Sequence, residues 1–449
     1  MSLPLHASRT VRTRPARRTR LVEPWRRVRS VAATQSTFLW FSGSTLALNV
    51  ASLVGGMLAL RWIDPALIGI WQTLVLAQSY FLVVRVGVLN GMNREVPYLL
   101  GRGDQDQALL LAGTAQLHAV VCAGLAVAAA GGALWVCWGW GPEWRWAIAS
   151  MAVLASATFY LGYLQATFRS SDDFQRLTYL QLAQTATMLL LPVFAARWGF
   201  SGFCAHAALQ ALVISAFAHR IRPLRVEMRW SGAAAKLLLT TGLPLFASGY
   251  LQAAAAGLDR LILLMTAGTE TLGYYAPAVS VVGAMSVVPG ALTTYLYPKL
   301  SFRLGQGQSP EQLWRTAATA TLISALLALP LVVIVWTFAP ALVAALLPAY
   351  ERGLPAIRAA SVTGFAATAS ACTVVLGALK AWKALYTYVA VLFGLKVVLP
   401  WYGALGGDPV AGVAVGSMWA SLLAGSVAIL LVYRCTHRGG RATGDSSAR

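Results

Sequence analysis

Four ionisable residues lie inside long apolar segments of this chain: Arg85, Asp259, Arg260 and Lys396. Charged side chains are costly inside hydrocarbon, so such residues usually face a wet cavity or an opposite charge. Three of the four are cationic and one is anionic, which leaves a net positive charge among the apolar segments. Cations of this kind bind anionic groups such as phosphates, and the sequence therefore predicts an anion-binding interior.

The composition predicts an all-α integral membrane protein. Hydrophobic residues make up 58% of the 449 residues and charged residues only 11%, with a mean hydropathy of +0.64. Soluble domains carry about 25% charged residues. Apolar stretches long enough to cross a bilayer as helices recur along the chain, whereas the alternation expected of membrane strands is weak. The five cysteines have no paired spacing, so we interpret them as packing residues.

The hydropathy pattern predicts about twelve transmembrane helices, here called spans one to twelve. They cover residues 36–60, 66–93, 109–137, 145–168, 174–197, 199–219, 237–267, 273–298, 313–338, 355–380, 384–402 and 408–433.

The lysines and arginines predict the orientation of these spans. Nine arginines lie in the first 29 residues, and the loops on the same side bring the count of basic residues to 27, against 5 on the other side. Cytoplasmic loops are the basic ones, so both termini are predicted to be cytoplasmic. This distribution also explains the net charge of +20 without a nucleic acid, and it predicts contact of the basic tail with anionic membrane lipids.

The chain divides into two predicted six-helix lobes, residues 31–219 and 237–435, joined by a basic cytoplasmic linker. Cytoplasmic tails precede and follow them, at 1–30 and 436–449. The start of span two, Leu67-Ile68-Gly69-Ile70-Trp71, is similar to the start of span eight, Thr271-Leu272-Gly273-Tyr274-Tyr275. Six helices preserve orientation, so the lobes would be parallel repeats related by an axis along the membrane normal.

Polar side chains on single helix faces supply the candidate site. The predicted ligand-binding residues are Arg85 and Gln78 in span two, Asn49 in span one, Gln252 and Arg260 in span seven, and Lys396 in span eleven. Polar faces in membrane helices also serve helix packing, and this remains an alternative for the uncharged residues. Two further alternatives are a structural Asp259–Arg260 pair and a buried bridge from Lys396 to Asp259.

Short motifs in their order along the chain carry a family resemblance. They are Asp64-Pro65 with Gly69, Gly91-Met92-Asn93-Arg94, Gly242-Leu243-Pro244-Leu245, Leu258-Asp259-Arg260-Leu261-Ile262-Leu263, Leu272-Gly273-Tyr274-Tyr275 and Pro348-Ala349-Tyr350. With the twelve-helix plan over residues 31–435, this pattern resembles the polysaccharide exporters of the multidrug/oligosaccharidyl-lipid/polysaccharide (MOP) flippase superfamily. That branch includes the Wzx-type O-antigen flippases and the flippases for capsule or exopolysaccharide repeat units.

The resemblance implies a V-shaped pair of lobes that flips an oligosaccharide linked to undecaprenyl pyrophosphate. It implies a multi-pass protein of the bacterial cytoplasmic (inner) membrane, acting in lipopolysaccharide or exopolysaccharide biosynthesis. The expected partners are the anionic lipid-linked oligosaccharide and membrane lipids. We expect a monomer, which could associate with polysaccharide polymerase or export proteins. No cofactor, metal or catalytic residue is expected, and Asp259 is the candidate for ion coupling.

Two other classes of protein remain open from the sequence. One is a multidrug or cation antiporter of the same superfamily, although span one lacks a carboxylate and Asp259 is the only acid inside a span. The other is a membrane polymerase or glycosyltransferase with Asp172-Asp173 at a metal–nucleotide site. We interpret the segment Ser170-Ser171-Asp172 instead as an N-cap of span five, and the sequence contains no phosphate-binding glycine loop.

Overall fold

The structure is a computed structural model that describes residues 23–290, 292–293, 296, 300, 304, 306, 308–379 and 381–444. Side chains are described from Trp40 to His437 within these ranges, except for Leu245. Three parts of the orientation count lie outside the described side chains. They are the whole predicted N-terminal tail, the C-terminal tail after His437, and the basic residues Lys299, Arg303 and Lys380.

All regular elements in the described ranges are helical. The first half contains α1 (Glu23–Leu60), α2 (Pro65–Phe81), α3 (Val88–Gly101), α4 (Gln105–Val136), α5 (Pro142–Ser170), α6 (Phe174–Met188) and α7 (Leu191–Ile221). The second half contains α8 (Gly232–Ala256), α9 (Leu258–Tyr274), α10 (Ala276–Met285), α11 (Pro310–Leu346), α12 (Leu354–Ala366), α13 (Ser370–Ala378), α14 (Trp382–Ala404) and α15 (Pro409–Gly444). Short 3₁₀ turns cover Leu82–Arg85, Trp138–Trp140, Pro348–Gly353 and Ala367–Ala369.

Within the described residues, nine helices are long and apolar enough to cross a membrane, or ten if α8 and α9 form one bent span. Two of the predicted spans account for the difference from twelve. Span five, 174–197, is divided between α6 and the start of α7, which also has a non-helical break at Gly199. Span eight, 273–298, begins with the short α10 and runs into positions that the structure leaves undescribed. The all-helical membrane fold is confirmed, while twelve spans and cytoplasmic termini stay predictions.

Acidic and hydroxyl side chains fix the starts of several helices. Asp64 accepts a hydrogen bond from the Ala66 amide at 2.9 Å at the start of α2, and Asp104 caps α4 in the same way. Asp173 accepts from the Arg176 amide at 3.1 Å and also lies 3.1 Å from the Arg176 guanidinium. These contacts satisfy amides that have no partner within the helix. The N-cap predicted around Asp172 is therefore formed one residue later, and Asp173 has a structural role.

The two halves meet through glycines of the repeated motif. Gly69 of α2 packs against the Thr269 carbonyl of α9, and Gly273 of α9 packs against the Pro65 carbonyl of α2. Each position is so close to the opposite backbone that a Cβ atom would clash. This reciprocal packing is the arrangement expected where two parallel repeats meet at their common axis. At the other end of the interface, Gly91 of α3 and Gly242 of α8 make equally close backbone contacts.

Candidate functional site

A break in predicted span two positions Arg85. The sequence predicts one helix over 66–93, but α2 ends at Phe81 and a 3₁₀ turn follows through Arg85. Val86 and Gly87 then adopt left-handed backbone conformations, with φ of 38° and 84°. A β-branched residue rarely adopts positive φ, so Val86 is strained. Gly87 packs directly against the backbone of Gly242, and the chain turns there before α3 begins.

The Arg85 guanidinium lies against α5. Its Nη2 donates a hydrogen bond to the Thr158 carbonyl oxygen at 3.0 Å, and its Cζ lies 5.3 Å from the centre of the Phe159 ring. Nε is buried without a hydrogen-bond partner. Among the described side chains, no carboxylate forms a salt bridge with Arg85. The guanidinium is therefore a half-buried cation with unused donor capacity.

Two other residues hold this part of the first half together. Gln78 Nε2 donates to the Thr158 hydroxyl at 3.2 Å, so Gln78 and Arg85 bind the same residue of α5. His118 of α4 places its Nε2 3.3 Å from the Arg85 carbonyl oxygen, which supports the backbone at the break. The predicted placement of Gln78 and Arg85 on one side of span two is consistent with these contacts.

Thr158 also lines an open pocket of the first half, bounded by α1, α5, α6 and α7. The pocket has a volume of about 340 Å³. Its polar lining consists of neutral residues, and it includes the predicted residue Asn49. The lining residues are Leu48, Asn49, Ser52, Leu154, Ala157, Thr158, Leu161, Gln184, Met188, Gln210, Ala211 and Ile214. A pocket with amides, hydroxyls and apolar side chains can bind an uncharged polar molecule.

A buried polar network lies in the second half. Asp259 of α9 accepts hydrogen bonds at Oδ2 from the Tyr275 hydroxyl at 2.9 Å and from the Ser417 hydroxyl at 3.1 Å, and at Oδ1 from the Arg260 amide at 2.7 Å. Lys396 Nζ of α14 donates to the Ser417 oxygen at 2.6 Å. Ser417 of α15 thus links the ammonium to the carboxylate. The predicted bridge from Lys396 to Asp259 runs through the Ser417 hydroxyl group.

The six predicted ligand-binding residues fall into separate groups. Asn49 lines the pocket of the first half, and Gln78 and Arg85 bind Thr158 of its lining without lining it themselves. Lys396 is 5% exposed inside the second half. Arg260 is half-buried beside Asp259, and within the described side chains its guanidinium forms no salt bridge. Gln252 donates to the Ser248 carbonyl oxygen within α8 at 3.2 Å. Within the described contacts, Arg85 bonds to α5 of its own half and Lys396 bonds to α15 of its own half.

Sequence reasoning missed three residues of these sites. Gln210 is a polar residue in apolar span six, so its position carried a signal that pointed to the pocket. Tyr275 stands in the repeat motif, yet nothing in the motif indicates its hydrogen bond to Asp259. Nothing in the sequence distinguishes Ser417 as a site residue, because a serine in an apolar helix usually forms a hydrogen bond with its own helix backbone. In the described ranges there is no cluster of three or more His, Cys, Asp or Glu side chains suited to a metal ion.

Comparison with known proteins agrees with this architecture. Residues 142–349 match a family described as polysaccharide biosynthesis protein, while no curated protein matches the chain. An inward-facing multidrug resistance MATE family transporter of the MOP superfamily is 15% identical, with a TM-score of 0.63 over 88% of this chain and 98% of that one. An outward-facing transporter of the same description is also 15% identical, with a TM-score of 0.61 over 90% and 96%.

A MOP superfamily transporter from Pyrococcus furiosus, described as having a binding pocket of reverse polarity, is 16% identical. Its TM-score is 0.58 over 89% of this chain and 96% of that one. These structures establish the fold. The central part of the chain, less than half of its length, is similar to the polysaccharide biosynthesis family. Together with the apolar helices, they describe a multi-pass membrane protein with the fold of the MOP-superfamily transporters.

Proposed function

We propose that this protein is a transporter that flips a polyprenyl-pyrophosphate-linked oligosaccharide, the repeat unit of a polysaccharide, across the bacterial cytoplasmic membrane by alternating access. The observation that carries the proposal is the Arg85 guanidinium, a cation without a carboxylate partner among the described residues. It donates to the carbonyl of Thr158, a residue that lines a pocket with neutral amides. The match of residues 142–349 to a polysaccharide biosynthesis family supports a cargo that contains sugars.

The proposed cargo has three chemical parts, and each needs a different environment. Arg85 would bind the pyrophosphate, because guanidinium–phosphate hydrogen bonds are charge-assisted and geometrically well matched. Asn49, Gln184 and Gln210 would bind sugar hydroxyls, since an amide both donates and accepts hydrogen bonds. The polyprenyl chain would remain in lipid. Arg260 and Gln252 are proposed as contacts of the second half later in the cycle.

An inside-negative membrane potential would drive this export. Moving one elementary charge across 100 mV changes the free energy by about 2.3 kcal/mol, and an anion is favoured to move outward. A pyrophosphate carries more than one negative charge, so voltage alone could make the process directional. No separate coupling ion is then required, and the scarcity of acidic residues inside the helices agrees with that.

The second candidate is a multidrug or cation antiporter, because the solved transporters of this fold include multidrug resistance proteins. The lining of the pocket argues against it. A cationic drug requires a carboxylate or another electron-rich partner, and the residues around the pocket include no acidic side chain. A polymerase or glycosyltransferase is disfavoured as well, because Asp173 is occupied as the cap of α6 and as the partner of Arg176.

The decisive experiment is flipping in proteoliposomes with a potassium-diffusion potential. Three cargoes of equal lipid length would be compared: an oligosaccharide on polyprenyl pyrophosphate, the same sugar on a neutral lipid, and polyprenyl pyrophosphate without sugar. We expect the first to be flipped fastest, at a rate that rises with the potential. Equal rates for the neutral lipid, or a rate that depends on a proton or sodium gradient and ignores voltage, would contradict the proposal.

A further inference from the structure

The second half contains a carboxylate and an ammonium that are both buried. Asp259 is 7% exposed and Lys396 is 5% exposed, and Ser417, which links them, is 1% exposed. Tyr275, the other side chain bonded to the carboxylate, is 4% exposed. Burial of an isolated carboxylate is very unfavourable, so a compensating positive charge must be near it.

The chain itself supplies that charge. Ser417 accepts from Lys396 at 2.6 Å and donates to Asp259 at 3.1 Å, so one hydroxyl separates the ammonium from the carboxylate. Lys396 and Asp259 form no salt bridge within 4.0 Å in the described part of the chain. The Asp259 carboxylate therefore accepts hydrogen bonds from two hydroxyl groups and one amide. The Lys396 ammonium, which carries the opposite charge, lies on the other side of the Ser417 hydroxyl.

All parts of the network belong to one half of the molecule. Asp259 lies on α9, Tyr275 immediately precedes α10, Lys396 lies on α14 and Ser417 on α15. Helices α9, α14 and α15 pack against one another. A rigid-body movement of the two halves would leave these contacts unchanged, so the carboxylate has no need to exchange its counter-charge during transport.

We propose that Lys396 is a built-in counter-cation for Asp259, occupying the role that a mobile sodium ion would have in an ion-coupled carrier. The predicted coupling role of Asp259 is then replaced by a structural one. The ammonium is tethered, so it neutralises the carboxylate in every state of the cycle and carries no ion across the membrane. The proposal depends on the transporter fold and is independent of the identity of the cargo.

The first test is sodium binding by the purified full-length protein. Binding of radioactive sodium and the shift of Tm between choline and sodium chloride at equal ionic strength would be measured for the wild type and for Asp259→Asn. We expect no saturable sodium binding and the same small salt effect in both proteins. Saturable sodium binding by the wild type that Asp259→Asn abolishes would overturn the proposal.

The second test removes the tethered charge. Lys396→Met keeps the length of the side chain and leaves Asp259 without its cation, so we expect a lower Tm in choline and a partial recovery in sodium or lithium. Lys396→Met with Asp259→Asn should lose this ion-specific recovery. Lys383→Met is the matched control, because Lys383 is an exposed lysine of the same helix α14. Recovery of equal size in Lys396→Met and in Lys383→Met would contradict the role of Lys396.

If Lys396→Met does not fold, the sodium measurements on the wild type still decide the question. None of these measurements uses a lipid-linked sugar. If the proposed cargo is not flipped, the role of Lys396 as the counter-cation is therefore not contradicted. If sodium binds at Asp259, the role of Lys396 is contradicted, and the proposed cargo is not.

Discussion

The two halves of the molecule each hold a cation within apolar helices, and the neighbours of the two cations differ in charge. In the first half, Arg85 has a carbonyl and an aromatic ring as neighbours, and its Nε has no partner. In the second half, Lys396 is linked through Ser417 to the carboxylate of Asp259. The difference teaches that a buried cation is a candidate for ligand binding only when the protein leaves its charge uncompensated.

The largest effect on stability is expected from Lys396→Met. Breaking a buried charge pair by removing one partner typically costs about 3–5 kcal/mol, because the other charge stays buried alone. Denaturation in SDS would measure the free energy of unfolding of Lys396→Met, Asp259→Asn and the double variant. We expect the double variant to be more stable than the sum of the single changes implies. Strict additivity would show that the two charges do not interact.

Arg85→Ala is expected to have the largest effect on transport, with little change in stability. Truncating one partner of a hydrogen-bonded charge pair costs about 2–5 kcal/mol, so the flipping rate at limiting cargo should fall at least about 30-fold. Arg85→Lys should keep part of the activity, because it retains the charge and loses the planar fork. Arg94→Ala is the control, since that side chain is 69% exposed. Normal flipping by a folded Arg85→Ala protein would remove Arg85 from the site.

The sequence predicted the general architecture because its signals are local. Long apolar segments identify helices, and the glycines of the similar motifs, Gly69 and Gly273, lie where α2 and α9 meet. The charges inside the spans were also visible, and with them the candidates Arg85 and Asp259. Polar residues on shared faces brought Asn49, Gln78 and Arg85 into one region.

The sequence could not predict which buried cation lies near a carboxylate, because that depends on which helices pack together. Ser417 is more than 150 positions from Asp259, and no local pattern links them. The break at Val86 was also invisible, since valine favours an extended or helical backbone and Gly87 alone does not require a turn. The break results from the close approach of Gly87 to Gly242 in the other half, which is a tertiary contact.

An intermediate effect is expected from Ser417→Ala, which removes the link and keeps both charges. Leaving buried donors and acceptors unsatisfied costs about 1–3 kcal/mol. The free energy of unfolding should therefore fall less than in Lys396→Met. Ser426→Ala is a suitable control on the same helix, because Ser426 is exposed and bonds only the Leu422 carbonyl oxygen within the described contacts. A loss as large as that of Lys396→Met would indicate that the serine, rather than the ammonium, stabilises Asp259.

The smallest effect is expected from Gln210→Leu, which tests whether the pocket of the first half recognises the sugar. Gln210 Nε2 donates to the Thr187 hydroxyl at 3.0 Å, which fixes the amide at the pocket. A neutral hydrogen bond contributes about 0.5–1.5 kcal/mol, so the loss should lower the flipping efficiency for the sugar-bearing cargo by about 2- to 12-fold. Polyprenyl pyrophosphate without sugar should be flipped by the variant and the wild type at the same rate, because its contact with Arg85 is unchanged. Gln107→Leu, an exposed position near the start of α4, is the control. Equal losses for both cargoes would assign Gln210 to the stability of the first half, and the sugar would then have to bind elsewhere along the path from Arg85.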